Sequence, residues 1–177
     1  LKGKTLGIIG FGRIGQETAK IALGIGMNVM FSDKFINDQE ITLDFVHDKK
    51  ASFNLKSSDI SDLLKNSDYI TLHVPAQKEF VIGKNEIGLI KDGAGLINAA
   101  RGGVIDENAL IKALDDGKLA FAGIDTFENE PKPSIKLLMH PKVSLTPHIG
   151  AATSEAQDRI GIELALSLIH ISEPTRQ

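Results

Sequence analysis

With 177 residues, 42% of them hydrophobic and 24% charged, the chain is sized for one domain and has the balance of an ordinary globular core. A formal net charge of -3 supplies no field that would draw it to nucleic acid or an anionic membrane, and no apolar stretch is long enough to cross a bilayer. The absence of cysteine excludes disulfides, zinc–thiolate centres and a cysteine nucleophile, and agrees with a cytoplasmic location.

Short apolar runs alternate with segments of helical period, the pattern of βαβ units around a parallel sheet. TLGIIG (5–10) is a continuous apolar run closed by glycine, the mark of a strand buried on both faces. From Arg13 to Met27, Ile14, Thr18, Ile21, Ala22 and Ile25 recur at three- and four-residue steps and form the stripe of an amphipathic helix. NVMFSD (28–33) is the second strand. Residues 34–57 are polar and mixed, and read as loop with a short helix and a weak strand. DISDLL (59–64) predicts a short helix opened by Ser58 or Asp59.

Strand YITLHV (69–74) stops at Pro75, which cannot continue a central ladder. A helical segment at 84–90 leads to strand GLINAA (95–100). The helix at 106–116 has Asp106 at its start and Gly117 at its end. Strands 119–126 and 143–147 come next, then a helix from Ser154 whose S-E-A-Q opening is a capping-box signature. The pattern predicts one α/β domain with a doubly wound parallel sheet over residues 1–165. Leu166 to Gln177 reads as the translation of a transposase-type sequencing adapter, and it is set aside with His170 as an expected artefact.

Gly10-x-Gly12-x-x-Gly15 lies between the first strand and the first helix, and that context gives a common spacing its meaning. Gly10 permits the turn, Gly12 lets a pyrophosphate approach the backbone, and Gly15 lets helix and strand pack closely. The first N–H groups of the helix and the positive end of its dipole would face the phosphates. Asp33 closes the second strand, where a carboxylate accepts hydrogen bonds from an adenosine ribose and repels a 2′-phosphate, favouring NAD over NADP.

Arg101 and His148 each follow a predicted strand and Asp125 stands at the end of one, at the sheet edge where ligands of open parallel sheets sit, and Glu130 lies shortly beyond Asp125. Arg101 would grip the carboxylate and carbonyl of a 2-oxo acid bidentately. His148 would donate the proton that carbonyl reduction requires, with Glu130 on its other ring nitrogen fixing the tautomer. His73 reads as a residue that packs or bonds at a strand end. His73, His140 and His148 show no ligand spacing, so no metal is expected.

The stretches GIIGFGRIG, LHVP, INAARGGVIDENAL, AGIDTFENEP and TPHIGAAT together resemble the NAD-binding domain of the D-isomer-specific 2-hydroxyacid dehydrogenases, from about Leu1 to Ala165. The resemblance implies a Rossmann-type domain, with Arg101, Glu130 and His148 catalytic. It implies cofactor contacts at Gly10, Gly12, Arg13, Ile14, Gly15, Asp33, Val74, Pro75, Ala99, Ala100, Arg101, Asp125, His148, Ile149, Gly150 and Ala151. Within the family the D-3-phosphoglycerate dehydrogenases are nearest in look, which implies a homodimer and a role in serine biosynthesis. Hydroxypyruvate or glyoxylate reduction, and an NAD-sensing corepressor-type module, are the alternatives. Family members also carry a smaller substrate domain that this sequence lacks, so the chain alone is expected to bind NAD weakly and turn over little.

Overall fold

The apolar run near the start of the chain becomes β1 (Thr5–Ile9), buried from Leu6 onward because a strand pairs with it on each side. A computed structural model describes residues 1–150, 152–154, 156–158, 160, 162 and 164 of the chain. After β1 come α1 (Arg13–Gly24), β2 (Asn28–Ser32), β3 (Asp38–Asp44), β4 (Lys50–Lys56), α2 (Ile60–Asn66) and β5 (Tyr69–Leu72). There follow α3 (Lys84–Leu89), β6 (Ala94–Asn98), α4 (Glu107–Asp115), β7 (Leu119–Ile124), α5 (Ile135–Leu138) and β8 (Val143–Leu145).

Six strands form a parallel sheet in the order β2-β1-β5-β6-β7-β8. The chain steps outward from β1 to β2, then returns to β5 and proceeds the other way. That reversal opens a crevice beyond the carboxyl ends of β1 and β5. Two apolar clusters sandwich the sheet, as double winding requires. One joins Ile8 and Phe31 to Ala19 and Ala22 of α1, with the Phe11 and Phe31 rings stacked at 3.9 Å. The other packs Leu72 and Leu96 with Leu63 of α2, Ile87 of α3 and Leu110 of α4. No helix among the described residues is long and apolar enough to cross a membrane.

Three local expectations are corrected. Residues 34–57 hold no helix; they form the antiparallel hairpin β3–β4. Only Ile41 and Leu43 of β3 are buried, because the hairpin stands on α1 and β2 at the sheet's edge, so alternation in the sequence is faint. Its turn places His47 and Asp48 at φ 60° and 56°, a left-handed pair without the usual glycine. The isoleucine stripe of α1 faces outward: Ile14 and Ile21 are exposed, and Gly15, Ala19 and Ala22 meet the sheet. The helix lies so close that a Cβ on Gly15 would strike the Gly10 carbonyl, leaving room for small side chains alone. In the last described helical segment, Ser154 is already helical, and Thr153 Oγ1 accepts the Ala156 N–H at 3.2 Å in the capping position expected of Ser154.

The strands also stop early. β5, β6, β7 and β8 end at Leu72, Asn98, Ile124 and Leu145, each two residues short of the sequence expectation. One residue past the ladder the backbone of His73, Asp125 and Thr146 still donates to the neighbouring strand, at 2.7, 2.9 and 3.1 Å, and the pairing ends there. Helix α4 matches its signals: Asp106 accepts the Ala109 N–H at 3.0 Å, and Gly117 closes the end at φ 73°.

Candidate functional site

One ladder row crosses the whole sheet: Ser32, Ile9, Leu72, Asn98, Ile124 and Leu145 are successive pairing partners. One residue beyond each lie Asp33, Gly10, His73, Ala99, Asp125 and Thr146. Parallel pairing in register is therefore what gathers these residues, distant in sequence, on one rim.

At the β1 end the rim is defined by space. Gly10 has φ 89°, and a Cβ there would approach the His73 carbonyl oxygen to 2.5 Å. At Gly12 a Cβ would meet nothing within 4 Å, and no side chain caps the first turn of α1. An anion can reach the backbone at that point. Beside this turn a crevice of about 1370 Å³ runs past Asp33 to Ser58, Val74 and Pro75. Asp33 accepts the Phe11 N–H at 2.6 Å, and the Phe35 and Ile36 N–H groups at 2.8 and 3.1 Å. Desolvation opposes its charge, but the three donors together outweigh it and hold the carboxyl below its ordinary range. Arg13 and Ile14 lie in the first turn of α1, both exposed.

His73 Nε2 lies 3.2 Å from Thr71 Oγ1 and 3.4 Å from Thr18 Oγ1, and burial lowers its pKa. The ring is held between β5 and α1 by two hydroxyls.

At the β6–β8 end the rim is defined by bonds. Asn98, 3% exposed, donates from Nδ2 to the Arg101 carbonyl at 2.9 Å and accepts the Ala100 N–H at 3.1 Å. This buried amide closes the turn that carries Ala99, Ala100 and Arg101. The guanidinium of Arg101 is exposed and donates to the Ala100 carbonyl at 2.6 Å; among the described residues it is not bonded to Glu130 or His148. Gly102 lies against the Phe127 carbonyl with no room for a Cβ, so the Arg101 turn abuts the loop after β7.

That loop carries Glu130, whose Oε2 and Oε1 lie 2.9 and 3.1 Å from His148 Nδ1. Glu130 also accepts the Phe127 N–H at 2.9 Å. This backbone donor, and then His148, hold its carboxyl below the ordinary range. His148 itself takes φ 57°, an uncommon conformation for a non-glycine residue. Asp125 over-determines it by bonding on both sides of it. Thr146 Oγ1 donates to Asp125 Oδ1 at 2.5 Å, Ile149 N–H to the same oxygen at 3.0 Å, and Gly150 N–H to Oδ2 at 3.1 Å. Desolvation opposes the Asp125 charge, but these donors and the nearby imidazole outweigh it and lower its pKa.

The rim thus brings Glu130 and His148 into direct contact and sets the Arg101 turn against their loop. Ala151 lies outside the described residues, as do residues 165–177. Asn98 and the anchoring bonds of Asp125 add to the residues expected from the sequence. The available signal was a polar residue inside a run otherwise expected to be buried.

A doubly wound parallel sheet with an open glycine turn at its topological switch defines a dinucleotide-binding domain. Residues 1–150 match the D-isomer specific 2-hydroxyacid dehydrogenase NAD-binding domain, and the chain belongs to that family. It is 46% identical over 174 residues to a glyoxylate reductase of Thermococcus litoralis, covering 96% of this chain and 49% of the relative. It is 40% identical over 176 residues to a D-3-phosphoglycerate dehydrogenase of Archaeoglobus fulgidus, covering 98% and 32%. The crystal structure of a glyoxylate reductase from Paecilomyes thermophila aligns with a TM-score of 0.76 at 37% identity, over 91% of this chain and 47% of that one. The chain spans about half, or less, of the length of these relatives.

Proposed function

We propose that this domain serves the NAD-linked interconversion of a D-2-hydroxy acid and its 2-oxo acid. The observation that carries the reading is the Glu130–His148 bond at 2.9 Å, on the same sheet rim as the glycine turn and Arg101. Gly10, Gly12 and Gly15 shape the turn that takes the pyrophosphate, with Arg13 and Ile14 beside it. Asp33 takes the ribose hydroxyls, and Val74 and Pro75 wall the adenosine crevice. Ala99, Ala100, Asp125, Ile149 and Gly150 would serve the nicotinamide end. The bound nicotinamide supplies or accepts the hydride.

Arg101 turns its paired N–H groups to the substrate carboxylate once substrate displaces its contact with Ala100. His148 donates a proton from Nε2 to the carbonyl oxygen as the 2-oxo acid is reduced, and removes it from the hydroxyl in reverse. Glu130 holds Nδ1, so the proton that moves is the one on Nε2.

In substrate we place the protein near the D-3-phosphoglycerate dehydrogenases, with a cytoplasmic, serine-biosynthetic role as a homodimer. Glyoxylate or hydroxypyruvate reduction is the second reading, favoured by identity of 46% to a glyoxylate reductase against 40% to a phosphoglycerate dehydrogenase. The deciding experiment assays NAD reduction by the full-length gene product with D-3-phosphoglycerate, D-glycerate, glycolate and D-lactate. Strong preference for the phosphorylated acid selects the first reading, and preference for glycolate or glycerate selects the second. No turnover of any 2-hydroxy acid would refute both.

A further inference from the structure

Two carboxylates from separate segments clasp each other's backbone beneath the rim. Glu107, the first residue of α4 and 7% exposed, accepts the Glu128 N–H at 2.8 Å. Glu128 accepts the Glu107 N–H at the same 2.8 Å. Among the described residues neither is joined to a lysine or arginine. Desolvation pushes the Glu107 pKa up, the neighbouring Glu128 charge adds to that, and the Glu128 N–H opposes both. Two acids near each other without a cation are an expensive way to fill space that apolar side chains could fill. The bonds to backbone, and the favourable end of the α4 dipole, are what sustain them.

What the clasp holds is the short loop that carries Glu130. Within that loop successive N–H groups are committed in different directions: Phe127 donates to Glu130 and Glu128 donates to Glu107. The Phe127 carbonyl rests on Gly102, and its side chain is buried in the core. The backbone of Phe127 and Glu128 is thereby held on both sides. Glu107 also follows Arg101 on the segment that enters α4, so the clasp ties the Arg101 segment to the Glu130 loop.

We infer that the Glu107–Glu128 clasp is the positioning device for Glu130, setting its carboxylate against His148 Nδ1 and fixing both relative to the Arg101 segment. The catalytic meaning of this rests on the dehydrogenase reading, whereas the positioning itself can be read without turnover. The test uses the 177-residue chain with Glu107→Ala, Glu128→Ala and the corresponding Gln variants. Its readouts are the imidazole ¹⁵N shifts of His148, which report a carboxylate at Nδ1, and amide exchange at Glu107 and Glu128. Each Ala variant is expected to move the Nδ1 signal toward that of a solvated imidazole and to speed exchange of the freed amide about tenfold or more. Each Gln variant keeps an acceptor oxygen and should restore both. Glu128→Ala removes the less buried member, so it reports even where Glu107→Ala does not fold.

Faster exchange with unchanged His148 signals would reduce the clasp to a structural tie and overturn the inference, as would Gln variants no better than Ala. In the full-length gene product, Glu128→Ala should lower kcat while leaving the KM for the 2-hydroxy acid nearly unchanged. Absence of NAD binding or turnover in the unsubstituted protein would sink the dehydrogenase reading without touching the His148 signals, so the two failures are distinguishable.

Discussion

The two ends of the rim are built by opposite means. Around Gly10 and Gly12 the chain removes side chains and leaves the backbone open; around β6–β8 it adds them, and Asn98, Asp125, Glu128 and Glu130 each bind backbone to hold a turn. A phosphate group is bound by many weakly directed N–H groups, so access matters most. Under the proposed function, proton transfer would depend on one imidazole at one distance, which calls for an immobilised loop beneath it.

Substitutions can break this contrast at either end. The largest effect is expected from Gly102→Ala, whose Cβ would collide with the Phe127 carbonyl. It should destabilise the fold by about 3 kcal/mol or more, as read by chemical denaturation, because backbone and not a flexible side chain must give way. Next comes His148→Ala, which should lower kcat of the full-length gene product by about 10² to 10⁴ while the denaturation midpoint barely moves. An intact kcat would show that another group handles the proton.

Gly12→Ala sharpens the comparison from the other side. A methyl there meets nothing within 4 Å, so stability should change by less than about 1 kcal/mol, while calorimetric titration with NAD should show about tenfold weaker binding. Equal effects of Gly12→Ala and Gly102→Ala on stability would erase the distinction between an open end and a bonded one.

The smallest effect lies at the other end of the strands, beside the starts of β1 and β5. Asp68 bonds Lys91 at 2.8 Å and the Thr5 N–H at 2.9 Å, and its carboxyl is lowered from 3.8 to about 2. The folded chain therefore binds that proton less readily than the unfolded one. Its contribution is complete above about pH 4 and fades as the pH falls toward 2. Denaturation midpoints of Asp68→Asn and the unsubstituted protein should differ slightly at pH 7 and converge across that window.

Where sequence patterns were read correctly, the cause was local. Gly10-x-Gly12-x-x-Gly15 between an apolar strand and a helix, and Asp106 and Gly117 around α4, act through neighbouring backbone, so their meaning survives without the rest of the fold. Where patterns misled, a distant contact had intervened. The isoleucines of α1 look like a core stripe, but the closeness of β1 at Gly15 gives that face to alanine and glycine. The β3–β4 hairpin is hidden because few of its side chains reach the core. Asn98 looks like an interruption in a strand until its partners, Ala100 and Arg101, are seen folding back on it.

The order of residue types along the chain determined the layered α/β architecture, the family, and which residues stand at strand ends, because strand burial and glycine turns follow from neighbours a few positions away. Tertiary structure set the distance at which Glu130 meets His148, a contact already expected from the sequence, and alone decided that Asp125 anchors the histidine loop and that Glu107 clasps Glu128. Those contacts span 18 to 25 positions in the chain and exist because parallel strands bring their ends to a common row, a relation that no local spacing encodes.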